Sequence, residues 1–347
     1  MLKIDKHIEI VSSTRPVLSS MSSDSREGAR RTLARKYRSV GIRIINNRSD
    51  LDDLVADSPD LVFLGMKFLP LDPAKGWRDS KKIWISRYLD KADILYTGSS
   101  GYSHELEVNK PVAKQAVLDA GLKTAPYYVV KQDRTLSHLT PRLKYPLFVK
   151  PTNRGAGVGI DQQSVVSNLE QLRAKTAMIT VKWQSDSLVE SYLPGREFSV
   201  AVMAQEGHEN YSAMPIELVA KPDEYGRRIL GQAAKAADTE QVLPVTDHIL
   251  KHKLCRLALS AFSALGARDY GRIDIRLDVA GTPHFLEANL LPSLLEGYGN
   301  FPKACKINMN LDYEDMLLRI VELAFARQAY AERTPLAALP LSPAATI

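Results

Sequence analysis

The chain has 347 residues, 45% apolar and 25% charged, which is room for two or three compact units and the balance of a soluble globular protein. No apolar run approaches the roughly 20 residues that cross a bilayer, and the opening MLKIDKHIEI has no signal-peptide core; with only Cys255 and Cys305, in no metal-type spacing, a cytoplasmic and reduced setting is expected, with no membrane partner. The net charge of +6 suits a polyanionic ligand such as a nucleotide and does not by itself indicate nucleic acid.

The first third alternates strands and helices. A strand is expected at 8–11. Asp24 and Glu27 form a capping-box-like pair, with Ala29, Leu33, Tyr37 and Val40 at helical spacing and Gly41 as the stop. The opposite face of that helix carries Arg26, Arg30, Arg31, Arg35, Lys36 and Arg38. A phosphate patch and a solvated face are both compatible with it, and the absence of interleaved aromatics favours the solvated face. A strand at 42–46, a helix from Asp50, a strand at 61–64, a helix over 80–89 and a strand at 94–96 follow, which predicts a parallel sheet with covered faces. Residues 97–108, rich in Gly and Ser, read as a linker and place a boundary there.

The middle third opens with a helix over 109–120 and a strand at 125–130. A buried strand over 146–151 ends on Lys150. The loop after it carries Gly155, Gly157 and Gly159, whose missing side chains let backbone N–H groups approach an anion. Neither a P-loop nor a dinucleotide fingerprint is present, and 158–165 reads as strand-like. A mobile hairpin tip is the bland alternative. Residues 188–200 read as strand, turn and strand. The polar stretch 217–244, with Lys221 and Lys235, reads as a lid. A helix over 248–266 sets His248 and His252 one turn apart, without a third ligand nearby. A last helix covers 313–331, and 334–347 reads as a disordered tail.

Residues 269–294 organise the rest. Arg272, Asp274 and Arg276 share one parity, while Ile273, Ile275 and Leu277 share the other, as in a half-buried strand. A turn at Ala280-Gly281 leads into a second strand over 283–289. Folded about that turn, Asp274 faces Glu287 and Arg272 faces Asn289. Two carboxylates across a ladder repel unless a cation lies between them, and oxygen donors suit a hard ion such as Mg²⁺. A solvated surface hairpin is the alternative; the apolar flanks Phe285, Leu286, Leu290 and Leu291 argue against it.

Taken in order, the helix opening on Asn109-Lys110, the strand Phe148-Val149-Lys150-Pro151 with its Gly loop, Val189-Glu190 through Leu193, Gly195, Glu197 and Phe198, Gly271-Arg272-Ile273-Asp274, and Leu286-Glu287-Ala288-Asn289 resemble the ATP-grasp ligases, in the D-alanine–D-alanine ligase branch. The resemblance covers about residues 90–325, and the first 90 in outline. It implies an α/β fold: an N-terminal parallel-sheet domain (1–108), then a small (109–187) and a large (188–325) ATP-grasp subdomain. It also implies an activity, in which a carboxylate becomes an acyl phosphate that an amine displaces. By position, Lys110 and Lys150 would meet the nucleotide phosphates under Gly155 to Gly159. Glu190 and Leu193 would meet adenine, and Glu197 the ribose. Asp274, Glu287 and Asn289 would hold two Mg²⁺, with Mn²⁺ as a substitute. Lys235 would reach the γ-phosphate; Arg272, with backbone N–H groups near Ser293, would stabilise the oxyanion. Relatives are commonly homodimers.

The substrate side departs from the family. Ala156 and Gly157 stand where the family has two serines, and Ala236 where it has a tyrosine. Residues 19–25 offer Asp24 but no matching glutamate, and Gly297 to Asn300 replace the Ser-Leu pair. The expectation is an ATP- and Mg²⁺-dependent carboxylate–amine ligase whose small, amino-acid-like substrates are not two D-alanines. A genuine D-alanine–D-alanine ligase, a non-catalytic nucleotide-binding protein and a ligase acting on a polypeptide tail are the alternatives.

Overall fold

The computed structural model describes residues 2–72, 74–75, 81–133, 139, 141–205, 210–231 and 239–333. Strand β1 (Ile4–Ser12) buries Ile8, Ile10 and Val11. Helix α1 (Ser23–Lys36) follows it, and its cap is Ser22, not Asp24: the Ser22 hydroxyl accepts from the Ser25 N–H at 3.2 Å. Asp24 lies in the first turn, where its charge meets the positive end of the helix. The helix stops at Lys36, before the expected Gly41, because β2 (Tyr37–Ile44) begins at once. Tyr37, Val40 and Ile42 are strand formers, and the carboxylate of Glu9 fills the space a side chain at 41 would need. Helix α2 (Arg48–Ala56) starts with a reciprocal Asn47–Asp50 capping box and leads to β3 (Leu61–Leu64). The three strands lie in the order β2-β1-β3, all parallel, so both crossovers are strand–helix–strand.

Three expectations fail next. Within the stretch expected as helix, 82–84 form β5 (Lys82–Trp84), an antiparallel partner of β4 (Phe68–Pro70), because Trp84 packs edge-on against Phe68 at 5.3 Å. Only Ile85–Lys91 (α3) is helical there, and the strand expected at 94–96 contributes a single parallel bridge, Val62 to Tyr96. The expected linker contains α4 (Gly101–Val108), whose cap is the Ser100 hydroxyl and which buries His104 and Glu107. Its Gly and Ser residues are helix-start signals.

Helix α5 (Lys110–Asp119), β6 (Tyr127–Val130), β7 (Leu147–Pro151), β8 (Val165–Val166), α6 (Leu169–Met178) and β9 (Ser187–Ser191) follow, with the sheet order β6-β9-β7-β8. The stretch 158–165 is not one strand. It is a turn and a 3-10 turn (Gln162–Ser164) that reaches β8 only at its end. Strands β10 (Glu197–Ala204), β11 (Tyr211–Val219) and β12 (Gln241–Pro244) precede α7 (His248–Ala264), β13 (Tyr270–Leu277) and β14 (Pro283–Asn289) in an antiparallel sheet ordered β12-β11-β10-β13-β14. Helices α8 (Asn300–Met309) and α9 (Tyr313–Arg333) end the described chain.

Period-two patterning divides this sheet between two cores. Phe198, Val200, Val202, Ile273 and Ile275 pack with α5 and α7. Ala201 and Met203 face the other way, into a core that runs through α8 and α9 to Ile10 and Phe63 of the first sheet. Tyr128, Val149, Leu172 and Val189 form a third core, that of the four-stranded sheet. No described helix is long and apolar enough to cross a membrane.

Candidate active site

The β13–β14 hairpin pairs as its sequence predicts at the residues that matter. Arg272 faces Asn289, Ile273 faces Ala288 and Asp274 faces Glu287. Beyond Asp274 the register shifts by one, leaving Leu286 as a bulge residue that lines the cleft. The connection is a tight loop over 278–282, in which the Asp278 carboxylate accepts from the Ala280 and Thr282 N–H groups and Gly281 takes φ +75°. Asp274 is 5% exposed. Its Oδ1 accepts from Ser199 Oγ at 2.8 Å, across β10, and the Arg272 guanidinium lies 3.0 Å from both its oxygens. Glu287 lies 3.5 Å from the Lys110 ammonium, and Asn289 Oδ1 accepts from Lys67 at 3.3 Å.

A second cluster stands behind the first. Lys110 and Lys114, one helical turn apart on α5, point toward β7 and β9. The Glu190 carboxylate lies between two ammonium groups: Lys114 at 2.5 Å on one oxygen, Lys150 at 2.8 Å on the other. All three side chains are 5% exposed or less. Burial is the strongest influence on each and opposes charge. For Glu190 the two ammonium groups outweigh it and hold the carboxyl below its usual range. For Lys150, Glu190 and Glu287 outweigh it and raise the ammonium. For Lys110 and Lys114 burial prevails and lowers them, despite Glu287 and Glu190 respectively.

Lys150, Glu190, Asp274 and Glu287 line one cleft of about 640 Å³, solvent space included, between the four-stranded and five-stranded sheets. Its apolar walls include Phe148, Ile160 and Leu286, and its polar ones Lys150, Glu190, Glu197, Asp274 and Glu287. Glu197 is held by Arg276, its register partner on β13, at 2.7 Å. Leu193 also lines the cleft. Beside it, the Gly loop turns with positive φ at Ala156, Gly157 and Gly159. A side chain at 159 would meet Pro151 Cγ at 2.6 Å, so the loop can fold onto β7 only with glycine there. Gly155 has open space around it. The Lys110 ammonium donates to the Arg154 carbonyl, and the Lys110 N–H to Thr152 O at 3.1 Å, which fixes the loop to the start of α5. The N–H groups of Val158 and Ile160 bond back to Gly155 O and Gly157 O, so these two turn inward within the loop.

The structure therefore brings Lys110, Lys150, Glu190, Leu193, Glu197, Asp274 and Glu287 together, with Asn289 and Arg272 at the adjoining hairpin end. Ser293 lies in the loop after β14, outside the residues lining the cleft, with its hydroxyl accepting from Leu295 N–H at 3.4 Å. Lys235 lies outside the described residues, as do Ala236 and the tail 334–347. The sequence reading gave no role at the site to Lys67, Lys114, Ser199 or Arg276. Ser199 and Arg276 could have been found by pairing β10 against β13. Lys67 and Glu107 are joined only by the tertiary fold: they form an ion pair, and Glu107 also accepts from the Leu290 N–H.

Two carboxylates and an amide oxygen, Asp274, Glu287 and Asn289, are a donor set suited to a hard divalent cation. Among the described residues no three His, Cys, Asp or Glu side chains are grouped to hold a metal, and His248 and His252 are exposed on α7.

Residues 117–322 match the family model described as "D-ala D-ala ligase C-terminus". A D-alanine–D-alanine ligase of Geobacter sulfurreducens is 30% identical, over 68% of this chain and 71% of its own length. One of Marinomonas sp. is 28% identical over 84% and 87%. An uncharacterized protein of Sinorhizobium fredii is 31% identical over 60% of this chain, which spans 61% of that relative. Among solved structures, the D-alanine–D-alanine ligase of Bacillus anthracis superposes with a TM-score of 0.70 at 19% identity, covering 95% of this chain and 100% of that one.

Proposed function

The chain belongs to the D-alanine–D-alanine ligase family and has its ATP-grasp fold, and on that premise we propose that it is an ATP- and Mg²⁺-dependent carboxylate–amine ligase whose substrate pair is not two D-alanines. The observation that supports this most is the hairpin register: Asp274 opposite Glu287 and Arg272 opposite Asn289, beside a cleft that also holds Lys150.

In this reading a substrate carboxylate oxygen attacks the γ-phosphorus of ATP, ADP leaves, and the acyl phosphate forms. An amine then attacks the acyl carbon, phosphate leaves with the bonding pair, and the amide nitrogen loses a proton. The first step joins two anions, so positive charge must surround them. Lys110 and Lys150 supply it toward the phosphates, and the loop of Gly155, Gly157 and Gly159 covers them. Phe148, Ile160 and Leu286 offer flat apolar contact to adenine, with the Glu190 and Leu193 backbone at its edge and Glu197 at the ribose. Asp274, Glu287 and Asn289 would hold the two Mg²⁺ ions, or Mn²⁺, which supply charge neutralisation. Arg272, at the hairpin end, stabilises negative charge on the acyl oxygen, with N–H groups near Ser293 assisting and Lys235 directed to the γ-phosphate. The working units are 1–108, 109–187 and 188–325, in a cytoplasmic homodimer acting on small molecules.

The substrate assignment rests on Ala156 and Gly157 in the Gly loop, Ala236 and the 297–300 segment, where polar anchors of the family are lacking. The second reading, a true D-alanine–D-alanine ligase, is favoured by the names of the relatives at 28–30% identity.

Phosphate release from ATP and Mg²⁺ across D- and L-amino acids, singly and in pairs, with Glu287→Gln as the blank, separates the two. The proposal expects no turnover with D-alanine alone and turnover with another pair. Turnover with D-alanine alone restores the second reading. No turnover with any pair, for a protein that still binds ATP, would count against both readings.

A further inference from the structure

Lys114 does not line the cleft, yet among the described residues it is one of the most enclosed cations. Its side chain is fully buried. Its ammonium lies 2.5 Å from Glu190, 2.6 Å from Thr124 Oγ1 and 3.5 Å from the Phe285 carbonyl, and 5.8 Å from the centre of the Tyr127 ring. Thr124 Oγ1 donates onward to Phe285 O at 2.7 Å. The lysine thus ties α5 to β9 and to the start of β14.

Its consequence for the cleft is a matter of charge. Lys150 reaches the cleft with Glu190 at 2.8 Å. Alone, those two would be a neutral pair, with little attraction for a polyphosphate. Lys114 grips the far oxygen of the same carboxylate, so the three groups together carry one positive charge. In a region of low dielectric that surplus is felt strongly by an anion a few ångströms away.

We propose that Lys114 is a positioning residue for the nucleotide: by neutralising Glu190 from behind, it leaves Lys150 as the net cation that the polyphosphate meets. This rests on the reading of the cleft as an ATP site. The role is electrostatic, so it is specific to the phosphates and indifferent to the base.

The test is displacement of a fluorescent nucleotide analogue from the full-length protein by ATP and by adenosine. Lys114→Met and Lys114→Gln remove the charge, and Gln keeps an N–H for Glu190. Neither leaves a buried unpaired charge, because Glu190 keeps Lys150, and Thr124 keeps its bond to Phe285. Both should weaken ATP binding about tenfold while adenosine binding stays within about twofold. The double variant Lys114→Met with Glu190→Gln, which restores one net positive charge, should recover most of the ATP affinity. Equal losses for ATP and adenosine, or wild-type ATP binding by Lys114→Gln, would overturn the proposal. A wild-type protein that binds adenosine and ATP equally weakly would instead remove the ATP-site reading beneath it.

Discussion

Two regions of this molecule are rich in basic residues, and they use them in opposite ways. On α1 the cations lie at the surface. Arg30 pairs with Glu27 within the helix at 2.7 Å, Arg35 with Glu314 and Lys36 with Glu322 on α9, and just beyond the helix, on β2, Arg38 with Asp5 at 3.0 Å. Around Glu190 they are buried, and each lysine there has a specific oxygen partner. A surface cation keeps its hydration, so its partner contributes little. A buried cation has lost that hydration, so its partner decides whether the charge can exist there. The same residue types therefore give a solvated face in one place and an enclosed ion-pair cluster in the other.

The sharpest way to break this contrast is Glu190→Gln. It leaves Lys114 and Lys150 facing each other without the carboxylate between them. The expected cost is about 3–5 kcal/mol of folding free energy, measured by urea denaturation near neutral pH. A loss under about 1 kcal/mol would mean that water reaches the lysines and that the cluster is not the enclosed one described.

That contrast also shows what could be read from the sequence. The register of Asp274 against Glu287 was legible, because alternating Ile273, Ile275 and Leu277 fix one face and the Ala280-Gly281 turn fixes the fold point. The bulge at Leu286 was not, since nothing local distinguishes it. Helix α5 was legible in the sequence, but Lys114 looked like any polar residue on it; its burial depends on β9 and β14 arriving from far along the chain. The linker expected over 97–108 was misread because Ser100 and Gly101 serve as cap and first residue of α4. Lys150, Glu190, Leu193 and Glu197, expected to meet ATP, line one cleft, whereas Lys235, expected at the γ-phosphate, and Ala236, on the substrate side, lie outside the described residues.

A buried group that stays neutral sharpens the comparison. His104 on α4 is fully buried, and burial first, then the charges of Lys67 and Arg268, push its imidazolium down to about 3. In the unfolded chain it titrates near the ordinary value of about 6.5. Between those values the unfolded chain binds a proton that the fold refuses. His104 therefore costs no stability above about pH 6.5, and stability falls by roughly 1.4 kcal/mol per pH unit below it. Between pH 7.5 and pH 5 the wild type should lose about 2 kcal/mol more than His104→Gln in parallel urea titrations. Equal losses would mean that the imidazole is protonated in the fold.

Helix α1 supplies the intermediate case. Its N-terminus is set by the Ser22 hydroxyl on Ser25 N–H at 3.2 Å, with Asp24 in the first turn. Ser22→Ala should cost about 1 kcal/mol, more than Asp24→Ala, which removes only a partly screened charge–dipole contact of about 0.5 kcal/mol. The reverse order, in the same denaturation assay, would return the cap to Asp24.

The smallest effect belongs to the basic face itself. Arg35 and Glu314 are 68% and 47% exposed. Their attraction is screened by water and salt, and holding two long side chains together costs entropy. Arg35→Ala should therefore change stability by less than about 0.5 kcal/mol, and raising the salt concentration should shrink even that. It should also leave ATP affinity untouched, because the acids paired with this face come from α1, β1 and α9, far in sequence from the cleft residues. A change in ATP affinity comparable to that expected for Lys114→Met would show that surface and buried cations act on the cleft alike, and the distinction drawn from burial would fail.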